Sequence, residues 1–375
     1  MFTQYINPVK ERLNRFMAPE PVLGMTPSQI IESPLTGYKI QTYEGEILRE
    51  DDRVKVGKKM LETLGKEFKD YSPRNKFGLL GYQFYNLFHP DPEVQTLTSW
   101  DVVTDKLGEV LGIFMVYYGS KYARVHCYAD RMVNLNYLMT ISDSIKRAGG
   151  ALASVLSMNQ FNIAYLRSFF GRELDMRLHK DRQFNVDHVV DVRAIIDKQS
   201  FDKAELVLPC IRKRVGRKLS SIEPQGLDEK YGSKIEDLLR KSSPFQSFHK
   251  KFMSQGKYIG FLDKHDTPVA VVGYKNPVET PYGEVSIISE LATDLRYRKA
   301  GLAKHLRSEN LIHLFKDHPE AIAVADVAVP NVQQPPHQLE AMMACGYEII
   351  HRTLWTVAAE DPTNFVSPTR RKFRI

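Results

Sequence analysis

The chain has 375 residues, of which 43% are hydrophobic and 26% are charged. This length and composition are typical of a globular protein with two domains of ordinary size, and they exclude wholesale disorder. The formal net charge of +7 is modest for the length, but much of it is concentrated in residues 212–218 and 370–374.

The cysteines and the apolar runs bear on the cellular compartment. Cys127, Cys210 and Cys345 lie far apart without metal-ligand spacing, which favours reduced thiols in a cytosolic setting and no metal site. No apolar run approaches the length of a membrane span, and the first residues lack the layout of a signal peptide. We therefore expect a cytoplasmic protein with no membrane partner.

The two basic segments are the features that would suggest a nucleic-acid partner. Such segments attract nucleic acids, acidic proteins or cofactor phosphates, although most of them are solvated loops or tails. Neither is accompanied by an aromatic stacking motif, zinc spacing or a helix-turn-helix pattern. Nucleic-acid binding through these patches is therefore not favoured, and an oligomer or larger assembly stays open.

The first half of the chain has a regular pattern only after its first 36 residues. Residues 2–17 read as an amphipathic helix interrupted by a proline, and a proline-rich linker follows. From Gly37 onward, periodicity predicts strands at 38–43, 99–104, 109–118, 122–129, 151–158 and 174–179, and helices at 51–68, 76–88, 135–147 and 160–170.

The second half repeats this order of elements. Predicted strands lie at 186–195, 258–262, 268–274, 285–291, 321–329 and 347–357, and predicted helices at 201–210, 233–241, 245–253, from 302 onward, and at 338–344. Both halves contain a strand, an asparagine, a short helix closed by glycine, and another strand, in that order.

This internal match predicts a duplication in a mixed-sheet protein of the α/β (α+β) class. The predicted units are an N-terminal helix and linker (1–36), two domains (37–182 and 183–360) and a basic tail (361–375). An alternative for the first half is an unrelated α/β domain that shares the element order.

A glycine-containing turn joins a predicted strand to a predicted helix near residue 300. Gly301 and Ala303 open the helix and leave its first amide N–H groups unobstructed. These groups and the positive end of the helix dipole can bind a pyrophosphate, helped by Arg296, Arg298 and Lys299. The pattern is weak by itself, but its position between a strand and a helix strengthens it. An ordinary strand–turn–helix with an idle glycine is the alternative.

Residues 290–303 resemble motif A of the GNAT acetyltransferase superfamily nearly position by position. The resemblance implies acetyl-CoA as cofactor, with its pantetheine arm along the strand and its pyrophosphate on the loop. It also implies that Asn331 contacts the arm, although a Pro-Asn turn would explain this residue equally well. The implied cofactor-binding residues are Leu291, Ala292, Thr293, Arg296, Arg298, Lys299, Ala300, Gly301, Leu302, Ala303 and Asn331.

The same resemblance implies direct transfer of an acetyl group to a primary amine of a protein or small molecule. Because an ammonium cannot attack, a base or a water chain must take a proton; Glu290 is the first candidate for the base and Glu284 the second. The tyrosine that usually protonates the leaving thiolate is replaced by Met342, which has no proton to give. Tyr347, Cys345 or Tyr297 could substitute, or the thiolate could leave unassisted.

The equivalent turn of the first half differs where the chemistry would occur. Residues 128–136 contain no Gly-x-Gly/Ala, and Asp130 would repel a pyrophosphate. We therefore expect this GNAT-like copy to be degenerate, to bind no cofactor and to form one wall of the acceptor groove. The alternative function, favoured by Met342 and by this degenerate half, is a catalytically silent tandem-GNAT structural or interaction protein.

Overall fold

A computed structural model describes the protein over much of its length. The described residues are 26–33, 36–45, 48–118, 123–130, 132–134, 136–137, 140–141, 151–157, 190–204, 211, 218–242, 253–329 and 337–359. The predictions for residues 2–17, 160–170, 174–179 and 370–374 fall outside them, as does the basic segment 212–218 except for its last residue. So does most of the helix predicted at 245–253.

The first half contributes six strands and four labelled helices. They are β1 (Gln29–Glu32), β2 (Lys39–Glu44), α1 (Glu50–Glu67), α2 (Pro73–Leu79), α3 (Gly81–Phe88), α4 (Pro92–Gln95), β3 (Thr98–Thr104), β4 (Val110–Tyr118), β5 (Ala123–Cys127) and β6 (Ala151–Ser157). The described residues between 132 and 141 are also helical.

The second half contributes eight strands and four helices to the described structure. They are β7 (Val190–Ile196), α5 (Lys198–Lys203), β8 (Ser220–Gln225), α6 (Gly232–Ser242), β9 (Gly256–Leu262), β10 (Pro268–Lys275), β11 (Val278–Thr280), β12 (Gly283–Thr293), α7 (Leu302–Asp317), β13 (Ile322–Val329), α8 (His337–Met343) and β14 (Glu348–Ala359).

All fourteen strands form one mixed sheet, in the order β1-β2-β3-β4-β5-β6-β14-β7-β13-β12-β10-β9-β8, with β11 beside β12. Strands β5 and β6 pair in parallel, as do β12 and β13, and the other pairs are antiparallel. This mixed sheet with helices on its faces confirms the predicted fold class.

The two halves share strands at the middle of the sheet. The last strand, β14, pairs with β6 of the first half on one side and with β7 on the other. Strand β7 in turn pairs with β13. The C-terminal strand of the second half is therefore a direct neighbour of a first-half strand.

Helices of the first half also cover strands of the second half. A Cβ atom added to Gly81 on α3 would lie 2.5 Å from Cγ2 of Val324 on β13, and one added to Gly78 on α2 would lie 2.6 Å from Cγ2 of Ile195 on β7. One buried cluster contains residues of both halves, including Trp100, Met115, Val285, Ile287 and Val324. The two halves therefore share this cluster, whereas other buried clusters contain second-half residues alone.

Helices α1, α2 and α3 lie on one face of the sheet, and α7 and α8 lie on the other. Val324 packs in the cluster that contains α1–α3, whereas its neighbours Ala323 and Ala325 pack with Leu311 and Phe315 of α7. Such alternation is what a strand with both faces buried produces.

Several elements differ from the sequence prediction. The predicted linker contains β1, which pairs with β2, and β8, β11 and α4 have no predicted counterpart. The single helix predicted at 76–88 is two helices, because Leu80 (φ −86°, ψ 5°) separates α2 from α3. The helix predicted at 201–210 is described only as α5, which begins at Lys198 after a cap by Asp197. Short edge strands and breaks of this kind lack a hydrophobic period of their own.

No helix among the described residues is long and apolar enough to cross a membrane.

Candidate active site

The parallel strands β12 and β13 separate after a short paired region. Residues 285–287 pair with residues 322–324, yet β12 continues to Thr293 and β13 to Val329. On its other side β12 stays paired with β10 as far as Thr293 opposite Ala270. The described pairing therefore leaves an opening along one backbone edge of β12, where an extended polar chain could hydrogen-bond as an added strand does.

A β-bulge lies in β12 where this opening begins. The register between β10 and β12 shifts from Tyr274 opposite Ile288 to Val272 opposite Leu291, so β12 carries one extra residue there. Bulges re-aim side chains and are common beside active sites. Glu290 belongs to this stretch of β12, but its side chain lies outside the described part of the structure, so its role as base stays a prediction.

The loop after β12 places a glycine with a left-handed backbone directly before α7. Gly301 has φ 89° and Lys299 has φ 61°, a conformation that is uncommon for residues other than glycine. The buried Ala300 and Leu302 anchor this loop in the core beneath α7. Gly301 has no side chain with which to cap the helix. The first N–H groups of α7 therefore have no side-chain cap, and the helix start packs beside Ala270 of β10, which pairs with Thr293 at the end of β12.

The basic residues of this loop are exposed, and one of them is already paired. Nε and Nη2 of Arg296 donate hydrogen bonds to Oδ1 and Oδ2 of Asp294 at 3.1 and 3.0 Å. These bonds from Arg296 lower the pKa of the Asp294 carboxyl. Nε of Arg298 lies 3.5 Å from the carbonyl oxygen of Thr293, and Lys299 is exposed. All three predicted cations therefore lie in the loop between β12 and α7.

The second candidate base, Glu284, lies at the other end of β12. Its Oε1 is 2.8 Å from Nδ1 of His318, which follows the C-terminus of α7. Glu284 precedes the paired residues 285–287, so it is at the closed end of the opening. Thr293 is nine residues further along β12, which is roughly 30 Å at about 3.3 Å per residue. The structure does not bring Glu284 to the loop.

The candidate proton donors Tyr347 and Cys345 are buried in the core under α7 and α8. They share a hydrophobic cluster with Met342 and Leu311. Burial raises the pKa of the Tyr347 hydroxyl, which keeps it protonated. A hydroxyl surrounded by core residues must be reached by the leaving thiolate before it can donate, so its role as acid stays a prediction. The remaining predicted cofactor residue, Asn331, lies outside the described residues.

Sequence reasoning missed a third carboxylate, Asp326, on the opposite rim of the opening. It lies on β13 two residues beyond Val324, the last residue that pairs with β12. Both of its carboxylate oxygens accept hydrogen bonds from Arg193 on β7, at 2.8 and 2.7 Å. A charged residue within each of two predicted strands, Arg193 in 186–195 and Asp326 in 321–329, is a signal that could have indicated this pair, since buried charges occur paired.

The corresponding strands of the first half are closed where β12 and β13 are open. All five residues of β5 pair with β6, from Ala123 opposite Leu152 to Cys127 opposite Leu156. After β5, Oδ1 of Asp130 accepts a hydrogen bond from the amide of Met132 at 2.8 Å, in the first helical turn. A carboxylate therefore occupies the helix start that an anionic ligand would need.

Metal binding has no support in the described parts of the chain. No group of three or more His, Cys, Asp or Glu side chains there is arranged to hold a metal ion.

Comparison with known proteins gives information on the fold alone. No protein-family profile and no curated protein sequence matches the chain. Among solved structures, a GCN5-related N-acetyltransferase from Sphaerobacter thermophilus matches with a TM-score of 0.51 at 12% identity, covering 86% of this chain and 96% of that one. A tandem GNAT protein from the clavulanic acid biosynthesis pathway matches with a TM-score of 0.49 at 13% identity, covering 87% and 99%. This chain has the fold of the GNAT N-acetyltransferases.

Proposed function

We propose that the second half of the chain is an N-acetyltransferase that moves an acetyl group from acetyl-CoA to a primary amine. The observation that carries this proposal is the junction of two features at one point. The open edge of β12 runs to Thr293, and the loop after it leads to Gly301, which adopts φ 89° and leaves the N-terminus of α7 without a side-chain cap. An open strand edge that leads to a free helix start suits an arm followed by a pyrophosphate.

In this proposal the cofactor lies along the open edge of β12. The pantetheine arm pairs with the backbone of residues 291–293, with Asn331 as a further contact. The pyrophosphate binds the amides of residues 301–303, and Arg298 and Lys299 contribute positive charge.

The reaction is direct attack of the amine nitrogen on the thioester carbonyl carbon. The carbon–sulfur bond breaks, the coenzyme A thiolate leaves, and the nitrogen loses a proton to Glu290 or to water held by it. A thiolate is a good leaving group at neutral pH because the thiol pKa is near that of free cysteine. Departure without a protein acid is therefore compatible with Met342 at the usual tyrosine position.

The first half serves, in this proposal, as a cofactor-free wall of the acceptor groove. Its closed β5–β6 pair and the Asp130 carboxylate at the helix start support the absence of a second cofactor site. Its helix α3 packs on β13, on the face of the sheet opposite α7. Helix α6 lies on the same face as α3, where it packs against Val271 and Ala292. A groove between α3 and α6 would let an amine of a protein or a small molecule approach the thioester.

Isothermal titration of the full chain with acetyl-CoA tests the proposal. We expect one cofactor per chain and loss of binding in Gly301→Glu, because a side chain would be strained at φ 89° and would carry a charge towards the pyrophosphate. Gly108→Glu is the matched control: Gly108 also has a positive φ (84°), but its added Cβ would have no neighbour within 4 Å. Two cofactors per chain, or equal binding by both variants, would contradict the proposal.

A thiol-release assay over a panel of amines then separates an enzyme from a silent module. Release of coenzyme A that depends on an amine supports the transferase. Binding of acetyl-CoA without any turnover would favour the structural or interaction role.

A further inference from the structure

The pair formed by Arg193 and Asp326 lies where the acceptor would approach. Residues alternate between faces along β13, and Asp326 shares the face of Val324, which contacts α3. The carboxylate is two residues beyond the last β12–β13 pair, so it borders the opening from the side opposite Glu290. Because α7 and the cofactor loop are on the other face, Asp326 faces the side left for the acceptor.

Residues of the first half fix the guanidinium of this pair. Nη1 of Arg193 donates to the carbonyl oxygen of Leu79, and its guanidinium carbon lies 4.8 Å from the ring centroid of Tyr82 and 5.7 Å from that of Tyr128. This hydrogen bond and the two aromatic rings hold the planar cation in one orientation. Arg193 in turn fixes both oxygens of the Asp326 carboxylate.

The two members of the pair differ in their access to solvent. The Arg193 side chain is 1% exposed, whereas that of Asp326 is 10% exposed. The accessible member is therefore the anion. A carboxylate oxygen can accept more than one hydrogen bond, so the pairing with Arg193 does not exclude an ammonium donor. An anionic group has no proton to donate to this carboxylate, and a neutral donor would form a hydrogen bond without an ion pair.

We propose that Asp326 binds the ammonium form of the acceptor amine beside the β12–β13 opening, with Arg193 as the residue that positions its carboxylate. This inference deepens the proposed function and rests on it. Its consequence is that acceptors are cationic primary amines that dock before losing a proton. The first half then acts on acceptor binding through Leu79, Tyr82 and Tyr128, which fix Arg193.

Binding of n-butylammonium to the full chain, measured by saturation-transfer NMR at neutral pH, tests this assignment. n-Butanol, which has the same carbon chain without the charge, is the matched ligand. We expect butylammonium to bind the wild type more tightly than butanol does. We expect Asp326→Asn to weaken it about tenfold or more, since a hydrogen bond to a charged group contributes about 1.5–3 kcal/mol.

Two further variants separate charge recognition from folding. Asp197→Asn is the matched control, because Asp197 also forms an ion pair with a first-half arginine, Arg74, at 2.6 Å, away from the opening; its butylammonium affinity should stay unchanged. Should Asp326→Asn fail to fold, the double variant Arg193→Met with Asp326→Leu replaces the whole pair by apolar groups, an exchange that proteins often tolerate. It should lose the preference for butylammonium.

Each outcome bears on one claim. Equal butylammonium affinity in the wild type and in either Asp326 variant, or no butylammonium binding to the wild type, would overturn the assignment while acetyl-CoA titration could still succeed. Asp326-dependent butylammonium binding in a chain that does not bind acetyl-CoA would instead leave the ammonium site standing and remove the transferase.

Discussion

Individual carboxylates differ in what their surroundings allow them to do. Glu290 is on the bulged part of β12 beside the opening, whereas Glu284 contacts His318 at the closed end of the same strand. Asp101, on β3, is buried in the first half, where its Oδ2 accepts a hydrogen bond from the Tyr137 hydroxyl at 2.5 Å. Position in the fold, rather than residue type, therefore separates a candidate base from two structural carboxylates.

The first prediction concerns Glu290→Gln. We expect acetyl transfer to slow by roughly 100-fold to 10,000-fold, the usual loss for a general base, because only the proton-accepting step loses its group. Acetyl-CoA affinity by titration should stay within about twofold, since glutamine is nearly isosteric. Glu284→Gln is the control and should retain the wild-type rate. If the two variants exchanged these phenotypes, the base would be Glu284.

The second prediction concerns the pH dependence of stability. Burial raises the pKa of the Asp101 carboxyl above the ordinary value of an aspartate, to about 6. A raised pKa means that the folded state holds this proton more tightly than the unfolded chain does. The stabilisation it gives is complete below the unfolded pKa and is lost as pH rises through about 6.

Asp101→Asn cannot ionise but can still accept the hydrogen bond from Tyr137. It should therefore be more stable than the wild type above about pH 6. The gain in unfolding free energy should be on the order of 2 kcal/mol. This gain should shrink or vanish below the pKa of an aspartate in the unfolded chain. Urea unfolding at several pH values measures it, with Asp105→Asn in an exposed turn as control. A gain that does not change with pH would contradict the assignment to Asp101.

Each half contains one pair of parallel neighbouring strands, and the two pairs differ in how far their strands are hydrogen-bonded. The parallel pair β5–β6 is hydrogen-bonded along all of β5, whereas β12–β13 opens after three residue pairs. On the far side of the opening, β13 is held to β7 by the backbone and by the Arg193–Asp326 pair. Three residues of the first half, Leu79, Tyr82 and Tyr128, contact the arginine of this pair and so support the β13 side of the opening.

The third prediction tests this support. Arg193→Met leaves the Asp326 carboxylate in a mostly buried site without its guanidinium, and breaking a buried pair in this way costs about 3–5 kcal/mol of unfolding free energy. Arg74→Met removes two partly exposed ion pairs, with Asp197 and with Glu348, and each should contribute about 1 kcal/mol or less. The urea-unfolding midpoints of the two variants, relative to the wild type, measure these losses. Equal losses of unfolding free energy would contradict the expectation that the buried pair contributes more than the partly exposed ones.

The described parts of the two halves share one sheet and one buried cluster. Strand β14 pairs with β6 of the first half, and α2 and α3 cover β7 and β13 of the second. Removal of the first half would uncover apolar residues such as Ile195 and Val324, and would leave β14 as an unpaired edge.

The fourth prediction follows from this arrangement. A chain that starts at residue 183 should be insoluble or aggregated when expressed alone, because its core is incomplete and its edge strand is exposed. Co-expression with residues 1–182 is the control and should yield a soluble complex of the two pieces, detected by co-purification and size-exclusion chromatography. A soluble, monomeric second half with full acetyl-CoA binding would show that the shared core is not needed.

The amino-acid sequence by itself determined the local features whose signals are short-range. The apolar runs predicted β12 and β13, the periodic leucines predicted α7, and Gly301 with its basic neighbours predicted the loop between them, because strand alternation, helix periodicity and left-handed glycines depend on adjacent residues. The GNAT resemblance of residues 290–303 then agreed with the fold.

Only the tertiary structure decided which distant residues meet. The placement of β14 between β6 and β7 and the Arg193–Asp326 pair depend on contacts between residues more than a hundred positions apart. A hydrophobic pattern shows that a strand is buried, but it does not specify the strand beside it, since any strand edge offers the same backbone groups. The closed end of β12, which separates Glu284 from the loop, likewise became visible only once the strand pairs were known.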